Sequence, residues 1–113
     1  MNSKEETAIN LNPKQLKIVR EILSQHVPEC EVIAFGSRVT GTAKEYSDLD
    51  LAIITDKLLP VRTMAKLKEA FSESRLPFKV DVVDWGSASD GFRNVIKEKC
   101  KIVQRGGFLE MVK

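Results

Sequence analysis

An apolar run that contains a single acid restricts the fold more than any other feature of this sequence. The run is Leu49-Asp50-Leu51-Ala52-Ile53-Ile54. Its length and composition are typical of a central strand that is covered on both faces. A carboxylate in such a strand is costly to bury unless a partner or a metal ion compensates its charge. We therefore expect a helix-covered sheet in which Asp50 faces a partner or a metal.

Helices and strands alternate along the rest of the chain. Asn12 and Pro13 form a helix start, and this helix is predicted to end near His26. Strands are predicted at Glu31–Phe35, at residues 79–84 and, at the sheet edge, at Lys101–Gln104, and helices at residues 61–73 and around Phe92, Val95 and Ile96. This order predicts one domain, residues 1–113, of the α/β or α+β class, with helices packed mainly on one face of a small sheet.

Charge and composition exclude several classes of protein. The formal net charge of +2 is too small for a general nucleic-acid binder. No apolar run approaches the roughly 20 residues of a membrane helix, and the polar N-terminus has no secretory apolar segment. Cys30 and Cys100 lie far apart and are expected to be reduced thiols. We expect a cytoplasmic protein without a membrane or nucleic-acid partner.

Three aspartates are candidates for a metal site. Asp48 and Asp50 are two residues apart, so in a strand both project from one face. Asp81 lies in a second strand between Val80 and Val82 and can join them if the strands are neighbours. Two unit charges about 5 Å apart repel by roughly 3 kcal/mol at an effective dielectric near 20. Divalent cations reverse that sign, and Mg²⁺ prefers carboxylate and phosphate oxygens.

A two-metal scheme gives each carboxylate a role. Asp48 and Asp50 would bind the nucleotide-side ion and share a second ion. Asp81 would help to hold the second ion and orient or deprotonate an attacking hydroxyl. Alternatively, Asp48 caps a turn, Asp50 pairs with a lysine and Asp81 lies at an exposed edge. Asp84 competes for the third position, but its parity in the strand points it away from Asp81.

A glycine and a serine follow the first predicted strand. Gly36 would let a phosphate approach the backbone, and a short helix beginning at Ser37 would favour an anion. The Ser37 hydroxyl could bind a phosphate oxygen, and Arg38 could neutralise its charge. The alternative is an ordinary turn with a serine cap.

The combination of these motifs resembles a known family. Gly36-Ser37-Arg38-Val39-Thr40-Gly41, then Tyr46-Ser47-Asp48-Leu49-Asp50-Leu51 and a later strand aspartate, is similar to the signature of the minimal nucleotidyltransferases of the DNA polymerase β-like superfamily. The resemblance implies a short mixed sheet and two Mg²⁺ ions on Asp48, Asp50 and Asp81. It also implies nucleotide contacts from Gly36, Ser37, Arg38 and Ser47. Val39 and Thr40 depart from the commoner small residue and arginine.

The resemblance also implies an activity and a partner. Members transfer NMP from an NTP, here expected to be ATP, to an acceptor hydroxyl and release pyrophosphate. Small members often act with a separate all-helical protein of the HEPN or substrate-binding type, in some cases as an adenylylating antitoxin. Two alternatives remain: a non-catalytic binding or antitoxin subunit, and a nucleotide sensor that binds Mg-NTP without transfer.

Overall fold

The computed structural model describes residues 9–55 and 58–106. The elements, in chain order, are α1 (Pro13–His26), β1 (Glu31–Phe35), α2 (Ser37–Thr40), β2 (Leu49–Ile54), α3 (Val61–Ser72), β3 (Val80–Asp84), a 3₁₀ turn (Trp85–Ser87), α4 (Asp90–Glu98) and β4 (Lys101–Gln104). The helices and strands predicted from the sequence are all present, with bounds that differ by a residue at some ends.

The four strands form one mixed sheet in the order β3-β2-β1-β4. β1 is antiparallel to both β2 and β4, whereas β2 and β3 are parallel. β2 and β1 are therefore the central strands, and β3 and β4 are the edge strands. The apolar run from Leu49 predicted the central position of β2, and the sequence also predicted Lys101–Gln104 as a short edge strand. The fold class predicted from the sequence is confirmed.

The helices cover the two faces of the sheet unequally. α1 and α3 pack on one face, where Leu23 and Leu67 join Leu51 in the main hydrophobic core. α4 packs on the opposite face, where Ile96 joins a smaller cluster with Phe35 and Ala52. Helices thus lie mainly on one face, and the single helix on the other leaves part of that face open.

The start of α1 follows the predicted capping pattern. The Gln15 backbone N–H donates to the Asn12 side chain over 2.8 Å, and the Asn12 backbone N–H donates to the Gln15 side chain over 3.1 Å. These bonds satisfy two N–H groups that have no partner within the helix. None of the helices in the described ranges is long and apolar enough to cross a membrane.

Candidate active site

Asp50 lies between two partners in the sheet. It is paired with Phe35 of β1 on one side and with Asp81 of β3 on the other. Paired positions on adjacent strands lie about 4.8 Å apart and project their side chains from the same face. This is the face that carries α4, because Asp50 and Ala52 are two residues apart and Ala52 packs against Ile96. The neighbouring strands that the sequence argument required are thus present.

The three carboxylates influence one another. Asp50 is half-buried, whereas Asp48 and Asp81 are exposed. Burial raises the pKa of Asp50, and the charges of Asp81 and Asp48 raise it further. Within residues 9–55 and 58–106, no three histidine, cysteine or acidic side chains are gathered closely enough to form an assembled metal cluster. The aspartates therefore lie where β2 and β3 begin and interact through their charges, but they do not form an assembled ligand cluster in the described ranges.

The donor set at this edge fits a hard cation. Asp48, Asp50 and Asp81 offer only oxygen donors, which Mg²⁺ prefers to nitrogen or sulfur. The raised pKa of Asp50 reflects uncompensated burial and repulsion, and a divalent cation relieves both. The two exposed carboxylates also leave room for waters and phosphate oxygens, which Mg²⁺ usually retains among its ligands.

Gly36 lies directly against Asp50. Its backbone has φ 83° and ψ −158°, a conformation open almost only to glycine. A Cβ atom at this position would collide with Oδ2 of Asp50 and lie 3.2 Å from its Cγ. The turn between β1 and α2 can therefore approach the carboxylate only because residue 36 has no side chain.

Ser37 begins the short helix α2. The backbone N–H groups of Val39 and Thr40 donate to the Gly36 carbonyl over 3.0 Å, and Gly41 ends the helix in the left-handed conformation. The leading N–H groups of a helix have no acceptor within it. The Ser37 hydroxyl takes part in none of the side-chain hydrogen bonds found among the described residues, which leaves it available to a ligand at this turn.

Arg38, which the sequence suggested as a group that could neutralise a phosphate, is buried and turned towards the protein interior. Its side chain is 4% exposed. Its guanidinium donates to the carbonyls of Ser47 (3.0 Å), Asn10 (2.7 Å) and Glu45 (2.9 Å) and stacks on the Phe78 ring, 4.0 Å from its centroid. This placement does not support neutralisation of a phosphate. Arg38 instead ties the loop before Asp48 to the body of the domain, and the sequence carries no signal for that inward orientation.

Ser47 belongs to the same loop. Its hydroxyl accepts the Lys44 backbone N–H over 2.8 Å, and its carbonyl accepts from Arg38. These bonds fix the chain immediately before Asp48. They give Ser47 a positioning role, and its contact with a nucleotide remains a prediction.

Asp84 is occupied elsewhere. Its Oδ2 accepts the Leu59 backbone N–H over 2.8 Å, and its Oδ1 accepts from the Gly86 backbone over 3.0 Å and from the Thr55 hydroxyl over 3.3 Å. The side chain thereby caps the 3₁₀ turn and joins β3 to the approach of α3. Of the two candidates for a third carboxylate, the structure pairs Asp81 with Asp50 and assigns Asp84 to the scaffold.

A cleft adjoins the site on the side of β1. Its volume is about 560 Å³, and it is lined by Phe35, Gly36, Thr40, Val95, Glu98 and Lys99. The last three residues lie at the C-terminal end of α4, which the sequence interpretation did not connect with the site. Among the residues that line this cleft, the sequence marked Thr40 as a departure from the family that it resembles, which commonly has arginine at that position.

Comparisons with known proteins bear on the family and the fold. The family model described as a nucleotidyltransferase domain matches residues 16–103. The chain is 49% identical over 96 residues to a probable protein adenylyltransferase MntA of Haemophilus influenzae, covering 85% of this chain and 84% of that protein.

Solved structures share the fold. A toxin–antitoxin complex with AMP-PNP matches with a TM-score of 0.70 and 24% identity, covering 90% of this chain and 80% of that chain. A tri-AMPylated Shewanella oneidensis HEPN toxin in complex with an MNT antitoxin matches with a TM-score of 0.61 and 22% identity, covering 86% and 75%. At these identities the likeness carries the fold alone.

Proposed function

Because the chain belongs to the nucleotidyltransferase domain family, we propose that this enzyme transfers AMP from ATP to a hydroxyl group of a separate protein. The observation that carries the proposal is the pairing of Asp50 with Asp81, with Gly36 packed against Asp50. Gly36 and the two acids lie side by side near the start of β2, and this proximity supports a phosphate and metal site there. The relative named as a probable protein adenylyltransferase supports AMP as the transferred group.

The three aspartates would hold two Mg²⁺ ions. Asp48 and Asp50 are the proposed ligands on the nucleotide side, and Asp81 is the proposed additional ligand on the acceptor side. When bound, two such ions lower the cost of charge on the attacking and leaving oxygens. Burial and the charges of Asp81 and Asp48 raise the pKa of Asp50, and this supports the assignment, since a cation would offset these effects.

The chain's own groups perform the remaining work. The Ser37 hydroxyl and the first N–H groups of α2 bind phosphate oxygens. Asp81 orients the acceptor hydroxyl and accepts its proton. The acceptor oxygen then forms a bond to the α-phosphorus, the bond from that phosphorus to the bridging oxygen breaks, and pyrophosphate leaves with the electron pair. Arg38 and Ser47 position Asp48 through the loop that they hold.

The acceptor is proposed to be a separate helical protein of the HEPN type. The complex of a tri-AMPylated HEPN toxin with an MNT antitoxin supports this choice of partner. Asp81 is exposed on β3, which has β2 as its one neighbour in the described sheet. A side chain of another protein can therefore reach this carboxylate without a movement of the sheet.

Incubation with Mg²⁺ and α-labelled ATP tests the proposal, with and without a candidate helical partner protein of the HEPN type. We expect label on the partner protein, lost in Asp48→Asn and retained in Glu21→Gln, which removes an exposed acid from α1 as a matched control. A partner complex that forms without any label transfer, and is unchanged by Asp48→Asn together with Asp50→Asn, would instead identify a binding subunit.

A further inference from the structure

We propose that Lys99 binds the β- and γ-phosphates of the nucleotide, in the cleft beside Gly36, and stabilises the leaving pyrophosphate. This inference rests on the proposed nucleotidyl transfer and names a contact for it at the C-terminal end of α4. It starts from the order of the residues across the sheet and from the charges that line the cleft.

The order of residues across the sheet defines where the attacking and leaving groups would lie. Asp50 of β2 is flanked by Asp81 on β3 and by Phe35 on β1, and Gly36 follows Phe35. In an in-line displacement the attacking and leaving oxygens lie on opposite sides of the phosphorus. If the acceptor hydroxyl approaches at Asp81, the pyrophosphate departs towards Gly36. The cleft of about 560 Å³ begins at that glycine.

Lys99 supplies the one positive charge among the residues that line this cleft. Arg38, the basic residue next to the phosphate turn, points inward and donates to backbone carbonyls. The Lys99 side chain is exposed and takes part in none of the side-chain hydrogen bonds found in residues 9–55 and 58–106. Its ammonium group is therefore free to meet an anion. Thr40, whose hydroxyl shares a hydrogen bond of 3.1 Å with the Thr42 hydroxyl, also lines the cleft.

Glu98 provides an opposite charge against which the proposed role of Lys99 can be tested. Its carboxylate lines the same cleft and repels a phosphate, as does the negative end of the α4 dipole. If the cleft holds pyrophosphate, removal of the Lys99 charge weakens binding and removal of the Glu98 charge strengthens it. If Lys99 serves only to offset the helix dipole, neither change alters the affinity for an added anion.

The bond changes require no further reactant. Cleavage of the bond from the α-phosphorus to the bridging oxygen leaves an added negative charge on pyrophosphate. The Lys99 ammonium offsets that charge without transferring its proton. Hydrogen bonds to a charged partner are strong enough for the loss of one to weaken binding by about tenfold or more.

Calorimetric titration of the full chain, with Ca²⁺ in place of Mg²⁺, measures the binding of ATP, AMP and pyrophosphate. Lys99→Met is expected to weaken ATP and pyrophosphate binding at least about tenfold and to leave AMP unchanged. Glu98→Gln is expected to strengthen pyrophosphate binding. Lys101→Met, a charge loss outside the cleft on β4, is the control and should change none of the three.

Two outcomes overturn the inference. Unchanged pyrophosphate binding in Lys99→Met, in an enzyme that transfers AMP, removes Lys99 from the site and leaves the proposed function intact. An equal loss of AMP and ATP affinity shows that the cleft holds the nucleoside instead. Conversely, the experiments can show that Lys99→Met weakens pyrophosphate binding while the wild-type protein labels no partner. That pair of results supports the cleft as a pyrophosphate site and refutes the proposed transfer.

Discussion

Asp50 and Asp81 occupy paired positions on the parallel strands β2 and β3, so both carboxylates project from the face that carries α4. The pair creates an electrostatic cost in the protein without bound cations. Burial and the charges of Asp81 and Asp48 together raise the pKa of Asp50. Without a cation this arrangement disfavours the ionised form of Asp50. A divalent cation bound beside the two carboxylates would offset that cost.

Neutralising Asp50 should stabilise the protein in the absence of metal. With the folded pKa raised above the unfolded value, ionisation costs the native state more than the unfolded chain. Stability is then fully present below the unfolded pKa, near 3.9, and falls as pH rises through the raised folded pKa. In EDTA, the melting temperature of Asp50→Asn should therefore rise relative to that of the wild type as pH increases over this range. The difference should persist at higher pH. A wild-type protein more stable than the variant at pH 7 would contradict the repulsion.

Gly36→Ala should impair both stability and transfer. The backbone conformation costs about 1–3 kcal/mol for any other residue, and the new Cβ would displace Asp50. A displacement of about 1 Å can lower the rate of a reaction by about a hundredfold. Gly41→Ala is the matched control, because Gly41 also has positive φ but has open space where a Cβ would lie. We expect it to lose about 1 kcal/mol and to keep its transfer rate. Equal transfer by both variants would argue against a role for the contact between residue 36 and Asp50.

Arg38→Met should lower the stability and the melting temperature of the protein. The change leaves the carbonyls of Ser47, Asn10 and Glu45 without their donor, at an expected cost of about 3 kcal/mol. Arg20→Met removes one bond, from Nε to the Val103 carbonyl, and should cost about 1 kcal/mol or less. Denaturant unfolding measures both values. A stable Arg38→Met variant with weakened ATP binding would instead support a role for Arg38 in binding phosphate.

Asp84→Ala should separate stability from catalysis. Its carboxylate accepts the Leu59 and Gly86 backbone N–H groups, so its loss should cost about 2 kcal/mol. Well below the melting temperature, AMP transfer should stay within about threefold of the wild type, because Asp84 faces away from Asp81. A large loss of transfer in a folded Asp84→Ala protein would make Asp84 the third carboxylate.

The sequence predicted those features that depend on strand periodicity. Alternation sets Asp81 apart from Asp84, and the folded protein has Asp50 and Asp81 in register. Asp48 lies just before β2, so its projection from the same face as Asp50 stays a prediction. The strand order did not follow from periodicity, since apolar strands of this kind can pair in several ways. The family resemblance implied a short mixed sheet and a metal triad that includes Asp81. The signature residues therefore supplied information that composition and periodicity did not.

Long-range contacts account for what the sequence did not predict. Arg38 follows the proposed phosphate-binding pair, yet its guanidinium turns to carbonyls that lie from 6 to 28 residues away in the chain. Lys99 lies 63 residues after Gly36, counting from position 36 to position 99, and it reaches the same cleft because α4 crosses the open face of the sheet. Such contacts depend on tertiary packing, which no local pattern encodes.

The most direct measurement is the single-turnover rate of AMP transfer to the partner protein by Asp81→Asn, compared with the wild type. Metal-assisted charge stabilisation contributes several kcal/mol, and each 1.4 kcal/mol is a factor of about ten in rate. We therefore predict a loss of roughly a thousandfold in a protein that still folds and still binds its partner. Transfer at the wild-type rate by folded Asp81→Asn would contradict the pairing of Asp50 with Asp81 as the centre of the active site.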